Sequence, residues 1–165
     1  MGEEYVVRTE VLPLEGEIER ELEGSNPTKL LKEIPSLMKQ LFKIGSSSFF
    51  EDKIKWDKLG DPVEFFAQWR GKVGEDARTN FWLKVVVQGR QGLKDKRGSV
   101  TVKITGWLET EIPHETSLDK AMKLANMRMF YAKQLQEYVR RNRALIERLD
   151  MDIRRAMEAG LPEEI

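Results

Sequence analysis

Four runs of alternating apolar and polar residues follow one another in the middle of this 165-residue chain. The alternation predicts strands near 49–57, 63–73, 79–89 and 98–112. Their connections are rich in Gly, Asp and Pro, and they are too short to hold the crossover helix that parallel strands need. The runs therefore predict an antiparallel meander.

Helical patterns lie on both sides of the meander. Residues 27–44 carry apolar side chains at three- and four-residue spacing, and Pro35 is expected to kink this helix or divide it into a pair. Before it, residues 14–23 alternate with Glu at every odd position, which predicts a strand with one wet face. We expect an α+β fold: an antiparallel meander packed on a long C-terminal helix, with a Pro-kinked helix pair after the first strand.

The C-terminal pattern predicts one long helix, because residues 118–159 contain neither Pro nor Gly. At 1.5 Å per residue it would be roughly 63 Å long, about twice the diameter of a small domain. We therefore expect it to break near 140–143 or to project and meet a partner. The whole chain, 1–165, is expected to be one domain, with a body over 1–140 and a helix extension with an acidic tail over 141–165.

Lys and Arg number 28 and so do Asp and Glu, which does not favour indiscriminate phosphate binding. The charges are unevenly placed, since residues 1–25 hold eight acids and two bases while residues 120–155 hold ten bases and four acids. These segments are expected to complement each other, within one chain or between two. An apolar stripe over 139–157, surrounded by arginines, favours a homodimer that pairs through this helix or through the Trp82 and Trp107 face.

Several kinds of chemistry are absent from the sequence. The chain has no Cys and one His, so disulfides, thiolate metal sites and His clusters are excluded, and we expect no metal and no cofactor. His114, beside Glu115, is the one candidate general base, but we expect it to be a solvated residue ahead of the helix. We nominate no catalytic residue and do not favour an enzyme.

Other composition features bear on the environment of the protein. No run of 18 apolar residues occurs and the first residues are acidic, so we expect no membrane span and a cytoplasmic location. Glu (20) and Lys (15) greatly outnumber Asn and Gln (10 together), a balance typical of thermophilic proteins.

The order of these elements resembles the START-like helix-grip superfamily. The resemblance is carried by the strand at 14–23, the Pro35-broken helix at 27–44, the meander and the helix from Leu118. It implies a curved sheet that grips the last helix around a cavity. Members include lipid carriers, cyclases and hydrolase-like enzymes, so the fold alone does not assign a function. The chain has fewer strands after the helix pair than is usual there, which implies a shallower or open cavity.

The favoured function is a non-enzymatic protein that holds an apolar or aromatic small ligand between sheet and C-terminal helix. Met adapts to irregular ligands and a Tyr hydroxyl can orient them. The predicted ligand-binding residues are Trp56, Trp69, Met122, Met129 and Tyr131. An ordinary filled core is the alternative interpretation of the same residues.

A second hypothesis uses the opposite face of the sheet. Aromatic rings interleaved with basic side chains are what a platform for RNA or single-stranded DNA needs, and here Trp82 and Trp107 should lie close, with Lys84 near Lys103. The residues concerned are Arg70, Trp82, Lys84, Lys103 and Trp107. Packing or a subunit contact would also explain them. A third hypothesis, a small cyclase- or hydrolase-like enzyme, has only Tyr131, Tyr138 and His114 as polar candidates.

Overall fold

The computed structural model describes residues 3–12, 16–114, 117–126, 129 and 131–159. Its described elements, in chain order, are β1 (Glu3–Glu10), β2 (Glu17–Ser25), α1 (Leu30–Phe42), β3 (Phe49–Asp57), β4 (Val63–Gly74), β5 (Thr79–Gln91), β6 (Arg97–His114), α2 (Ser117–Asn126) and α3 (Ala132–Ala159). Short 3-10 turns precede α1 and β3. Within these ranges no helix is both long and apolar enough to cross a membrane.

The strands form one antiparallel sheet in the order β1-β6-β5-β4-β3, and β2 also pairs with β6. The long strand β6 pairs with both N-terminal strands, its first half with β2 and its second half with β1. The four predicted meander strands are confirmed, and β4 to β6 extend one or two residues further than expected. Pro35 lies inside the single helix α1 and does not separate two α-helices.

One face of the sheet is buried beneath α1 and α3. Every second residue of β4, β5 and β6 points into this layer, as the period of a strand requires. Helix α1 contributes Leu30, Ile34, Met38 and Phe42 to it. The predicted α+β architecture, with the sheet against the C-terminal helix, is thus confirmed.

Helix α3 packs on β2, β6 and α1. Its inward side chains recur at three- and four-residue spacing, and all of them are buried: Leu135, Tyr138, Asn142, Ile146, Leu149, Ile153 and Met157. The helix runs unbroken through 140–143, so the predicted break there is wrong, and its residues Ile146 to Met157 contribute to the core. The division into a body over 1–140 and an extension with an acidic tail over 141–165 stays a prediction. The apolar stripe expected to pair two chains lies in the chain's own core, and homodimer formation stays a prediction.

The reason for the error is the length of the sheet. Helix α2 ends at Asn126 and α3 begins at Ala132, and Met129 and Tyr131 between them are π-helical. At 1.5 Å per residue, the 28 residues of α3 span about 42 Å. The 18 residues of β6 span about 60 Å at 3.3 Å each, so the sheet is long enough to cover the helix.

The helix and sheet approach closely where β6 carries Gly106. A methyl group at this position would lie 2.6 Å from Cδ1 of Ile146 and 3.0 Å from the Phe81 ring. The absent side chain is therefore what allows Ile146 to pack directly on the sheet. Ile146, Phe81 and Trp69 are all 0% exposed, so this part of the interior is filled by the protein itself.

Polar contacts tie α3 to the N-terminal segment within one chain. Arg20 of β2 donates two side-chain nitrogens to the buried carboxylate of Asp150, which also accepts from Arg154. Arg143 donates to the backbone carbonyl of Val11. The acidic N-terminal segment and the basic C-terminal helix therefore contact each other within one chain. The charges of this pair are the reverse of the expected ones, because the base, Arg20, lies on β2 and the acid, Asp150, lies on α3.

Replacing Ile146 by Ala should lower the free energy of unfolding by about 2–5 kcal/mol, because it opens a cavity under the helix at a site that Gly106 has shaped. Urea denaturation measures the loss. Met151, on the same helix but 43% exposed, provides the control, and Met151→Ala should change stability by no more than about 0.5 kcal/mol. Equal losses in the two variants would contradict the packing described for α3.

Candidate functional site

The face of the sheet opposite α1 and α3, called the outer face below, carries an aromatic cluster. Trp82 of β5 lies directly opposite Trp107 of β6, with ring centroids 6.3 Å apart and planes inclined by 11°. Phe50 of β3 stacks on the other side of Trp82 at 6.1 Å. These three rings, the aromatic ladder, cross four strands.

One carboxylate fixes two rings of the ladder. The indole N–H groups of Trp82 and Trp107 each donate to a different oxygen of Glu109, both at 3.1 Å. Since Glu109 stands two residues beyond Trp107 on the same strand, it faces the same side. The rings are therefore held in place before any ligand arrives.

Cationic side chains lie over the rings of the ladder. The guanidinium of Arg70 is 5.3 Å from the centroids of both Phe50 and Trp82, within the range of a cation–π contact. Lys72 lies 5.7 Å from Trp82, and Arg8 covers Trp107 at 4.4 Å. Trp107 is consequently only 9% exposed, whereas Trp82 is half-buried and Phe50 is 37% exposed.

Arg70 is itself held by a carboxylate. Its Nε and Nη2 donate to the two oxygens of Asp52 at 2.6 and 3.1 Å, the fork geometry in which Arg pairs most strongly. The hydrogen bond from Arg70 lowers the pKa of Asp52, with a smaller lowering from the charge of Arg70 and then of Lys84. Asp52 occupies a bulge between Glu51 and Lys53, which places its carboxylate within reach of β4.

The rest of the outer face divides into a basic half and an acidic edge. Strands β3 to β5 present six basic side chains there, against the three acids Asp52, Asp57 and Glu64; the bases are Lys53, Lys55, Arg70, Lys72, Lys84 and Arg90. At the other edge, β2 presents Glu17, Glu19, Glu21 and Glu23. Among the described residues, no acid lies within ion-pair distance of Lys53, Lys72, Lys84 or Lys103.

The structure brings together all five residues of the nucleic-acid hypothesis. Trp82 and Trp107 are direct partners as expected, and Arg70 lies opposite Lys84. Lys103 pairs in register with Val86, so Lys84 and Lys103 are diagonal neighbours on the face rather than opposite one another. Trp107 differs from expectation, because Arg8 covers its ring.

The five residues of the apolar-ligand hypothesis are not brought together in the same way. Trp69 is fully buried in the core, whereas Trp56, Met122 and Met129 are 43, 57 and 76% exposed. Trp56 lies opposite Phe65 in register, which puts it on the same side of the sheet as the helices.

Tyr131 borders an open groove of about 400 Å³, with Asp76, Arg78, Gln134 and Tyr138. Its hydroxyl lies 3.2 Å from that of Thr79, and Tyr138 donates to Asp76 at 2.8 Å. Burial, and then the bond to Asp76, raises the pKa of Tyr138. The side chain of His114 lies outside the described residues.

Sequence reasoning missed the side chains that organise the ladder. Phe50, Asp52, Glu109 and Arg8 join it through cross-strand contacts. Of these four, only Glu109 could have been found from the sequence, because a residue two positions from Trp107 on a strand lies on the same face. The others depend on the sheet order and on the β3 bulge, which the sequence alone does not specify.

Comparisons with known proteins add little to this geometry. No protein-family model matches the chain, and no curated protein does. A solved structure of a protein of unknown function from Staphylococcus aureus covers 96% of each chain at 14% identity and a TM-score of 0.29, which is too low to carry an argument. The START-like resemblance stays a prediction. Over the described ranges, no group of three or more His, Asp or Glu side chains is placed to hold a metal ion.

Glu109→Gln should destabilise the protein by about 1–3 kcal/mol, because the amide keeps only one acceptor oxygen and leaves one indole N–H without a partner. Near-UV circular dichroism and urea denaturation measure the effect. Glu111→Gln, two residues further along the same strand and exposed, is the matched control and should leave both signals unchanged. An E109Q protein as stable as E111Q would show that Glu109 does not hold the ladder.

The lowered pKa of Asp52 gives a testable pH dependence. A carboxyl whose folded pKa is depressed contributes stability above its unfolded value of about 3.9 and loses that contribution as the pH falls through the folded pKa. In Arg70→Gln, Asp52 should titrate close to its ordinary value, as followed by carboxyl carbon NMR. Lys72→Gln, which removes a charge without touching Asp52, should leave the pKa of Asp52 lowered. Titration of wild-type Asp52 in the ordinary range would refute the pairing.

Proposed function

We propose that the protein binds single-stranded nucleic acid on the outer face of its sheet. The observation that carries the proposal is that partly exposed aromatic rings share one face with basic side chains, of which Lys53, Lys72 and Lys84 have no ion-pair partner among the described acids. Rings stack on bases and ammonium or guanidinium groups contact phosphates, with little dependence on base identity. A cytoplasmic location belongs to the same proposal.

Pre-organisation supports this assignment. Asp52 fixes Arg70 and Glu109 fixes the two indoles, so few rotamers remain to be ordered when a strand binds. Trp82 and Phe50 keep part of their ring surface accessible, which a stacking base requires.

The acidic edge of β2 supports a single strand as the partner rather than a duplex. Neighbouring strands lie about 4.8 Å apart, so β3 to β5 offer a basic strip only about 10 Å wide between strand axes. A polyanion much wider than this strip would bring phosphates toward Glu19 and Glu21, which face the same side. The zero net charge of the whole chain is compatible with this proposal, because phosphate binding needs positive charge only on the strip.

The apolar-ligand hypothesis receives less support. The interior between sheet and α3 is filled around Gly106, and three of its five residues are largely exposed. Homodimer formation through the outer face is the other proposal for the same surface, and it would use the ladder as a contact between two copies.

Trp82→Ala should weaken binding of a fluorescein-labelled single-stranded oligonucleotide about tenfold, because one stacked base contributes roughly 1–3 kcal/mol. Fluorescence anisotropy at low salt measures it, with a duplex of the same sequence expected to bind more weakly. The matched control is Trp56→Ala, an exposed tryptophan on the opposite side of the sheet, which should bind as wild type does.

A second variant keeps the proposal testable if Trp82→Ala fails to fold. Lys84→Gln should retain the fold and reduce the slope of log K against log salt by about 1, whereas Lys32→Gln on α1 should not. Absence of oligonucleotide binding by the wild type would overturn the proposal. If sedimentation then showed a dimer that Trp82→Ala dissociates, the outer face would be assigned to self-association.

A further inference from the structure

A second feature of the outer face lies further along the strands from the aromatic ladder. It is an open groove of about 490 Å³, within the size range of small-molecule sites. The side chains that line it from the outer face are Lys55, Asp57, Glu64, Phe66, Gln88, Arg90, Ser99 and Thr101. None of these belongs to the set that the sequence nominated.

The groove contains one aromatic ring with cations near it. Phe66 is half-buried, so its ring is held by the sheet yet keeps an accessible surface. Lys53 lies 5.7 Å from the ring centroid, and Lys55 is the direct strand partner of Phe66. Arg90 stands one row further along the sheet, opposite Glu64, and neither Lys55 nor Arg90 lies within ion-pair distance of a described acid.

Polar groups of other kinds complete the lining. Gln88, the direct partner of Phe66, offers an amide with both donors and an acceptor, and Thr101 lies opposite Gln88. Asp57 and Glu64 are direct partners of like charge, and they would repel a phosphate but accept hydrogen bonds from an amino or sugar hydroxyl group. A ligand in this groove is therefore expected to present a flat base, hydrogen-bonding edges and a phosphate at separate places.

We propose that this groove is a nucleotide subsite: one base stacks on Phe66 while its flanking phosphates contact Lys55 and Arg90. The proposal rests on the single-strand binding proposed above and extends its footprint. Trp82 and Gln88 lie on the same face of β5, six residues apart, which is about 20 Å at 3.3 Å per residue. At about 3.4 Å per stacked nucleotide this is about six steps, so a strand that reaches from the ladder to the groove covers about seven nucleotides.

The experiment compares oligonucleotides of about four and about eight nucleotides by fluorescence anisotropy. The wild type should gain affinity with length, because only the longer strand reaches both the ladder and the groove. Phe66→Ala and Arg90→Gln should each lower affinity for the longer strand about tenfold and abolish most of that gain. Lys32→Gln is the charge control, and circular dichroism confirms the fold of each variant. A series of eight-nucleotide strands, each with a single photoreactive base at a different position, maps the path. The positions that crosslink to Trp82 and to Phe66 should be about six nucleotides apart.

The outcomes separate the two proposals. If the wild type binds the longer strand and both groove variants bind it equally well, the groove is not a subsite, although the ladder remains the binding surface. If Phe66→Ala loses affinity equally for both lengths, the two contacts do not lie along one strand and the footprint is wrong. If the wild type binds neither strand, both the proposed function and this subsite are refuted.

Discussion

The packing of α3 along one face of the sheet is the constraint on which the rest of the structure depends. Its buried stripe, from Leu135 to Met157, packs on α1, β2 and β6. The fit requires Gly106, because any larger residue there would meet Ile146. Arg20 and Arg154 then neutralise Asp150 at the margin of the same contact.

This packing explains why the outer face differs so much from the inner one. Both α1 and α3 lie on one side, so the pleat turns alternate residues of β3 to β6 away from the core. Because neither α1 nor α3 covers the outer face, its aromatic side chains are shielded from water by one another and by cationic side chains that lie over them. Phe50, Trp82 and Trp107 do this by stacking, and Arg70 and Arg8 cover part of their surface.

The fixed arrangement of charges gives the outer face its chemical character. Asp52 accepts hydrogen bonds from Arg70, and Glu109 accepts them from the two indoles. These carboxylates therefore orient the guanidinium and the rings, and they leave the lysines of β3 to β5 without an ion-pair partner among the described acids. The unpaired lysines of β3 to β5 lie between these anchors, and the glutamates of β2 lie beyond them. The strip and its acidic border together favour a narrow polyanion.

Much of the fold could be predicted because its signals are local. Alternation in residues 49–112 identified the strands, and short turns made them antiparallel. The Trp82 and Trp107 pair followed from the hairpin between them. The long helix was misjudged because its surroundings are not local: whether residues 141–157 find a surface depends on how far β6 extends beneath them.

The sequence by itself determined which residues alternate, where the chain turns, and that basic and aromatic side chains share one face of the meander. Those features depend on the two-residue period of a strand and on turn chemistry, which neighbouring residues set. Only the tertiary structure decided which rings stay accessible, because Arg8 comes from β1 and Phe50 and Asp52 come from β3, all far from Trp82 in the chain. It also decided that Met122 and Trp56 do not converge, since sheet order and helix placement arise from packing between distant segments.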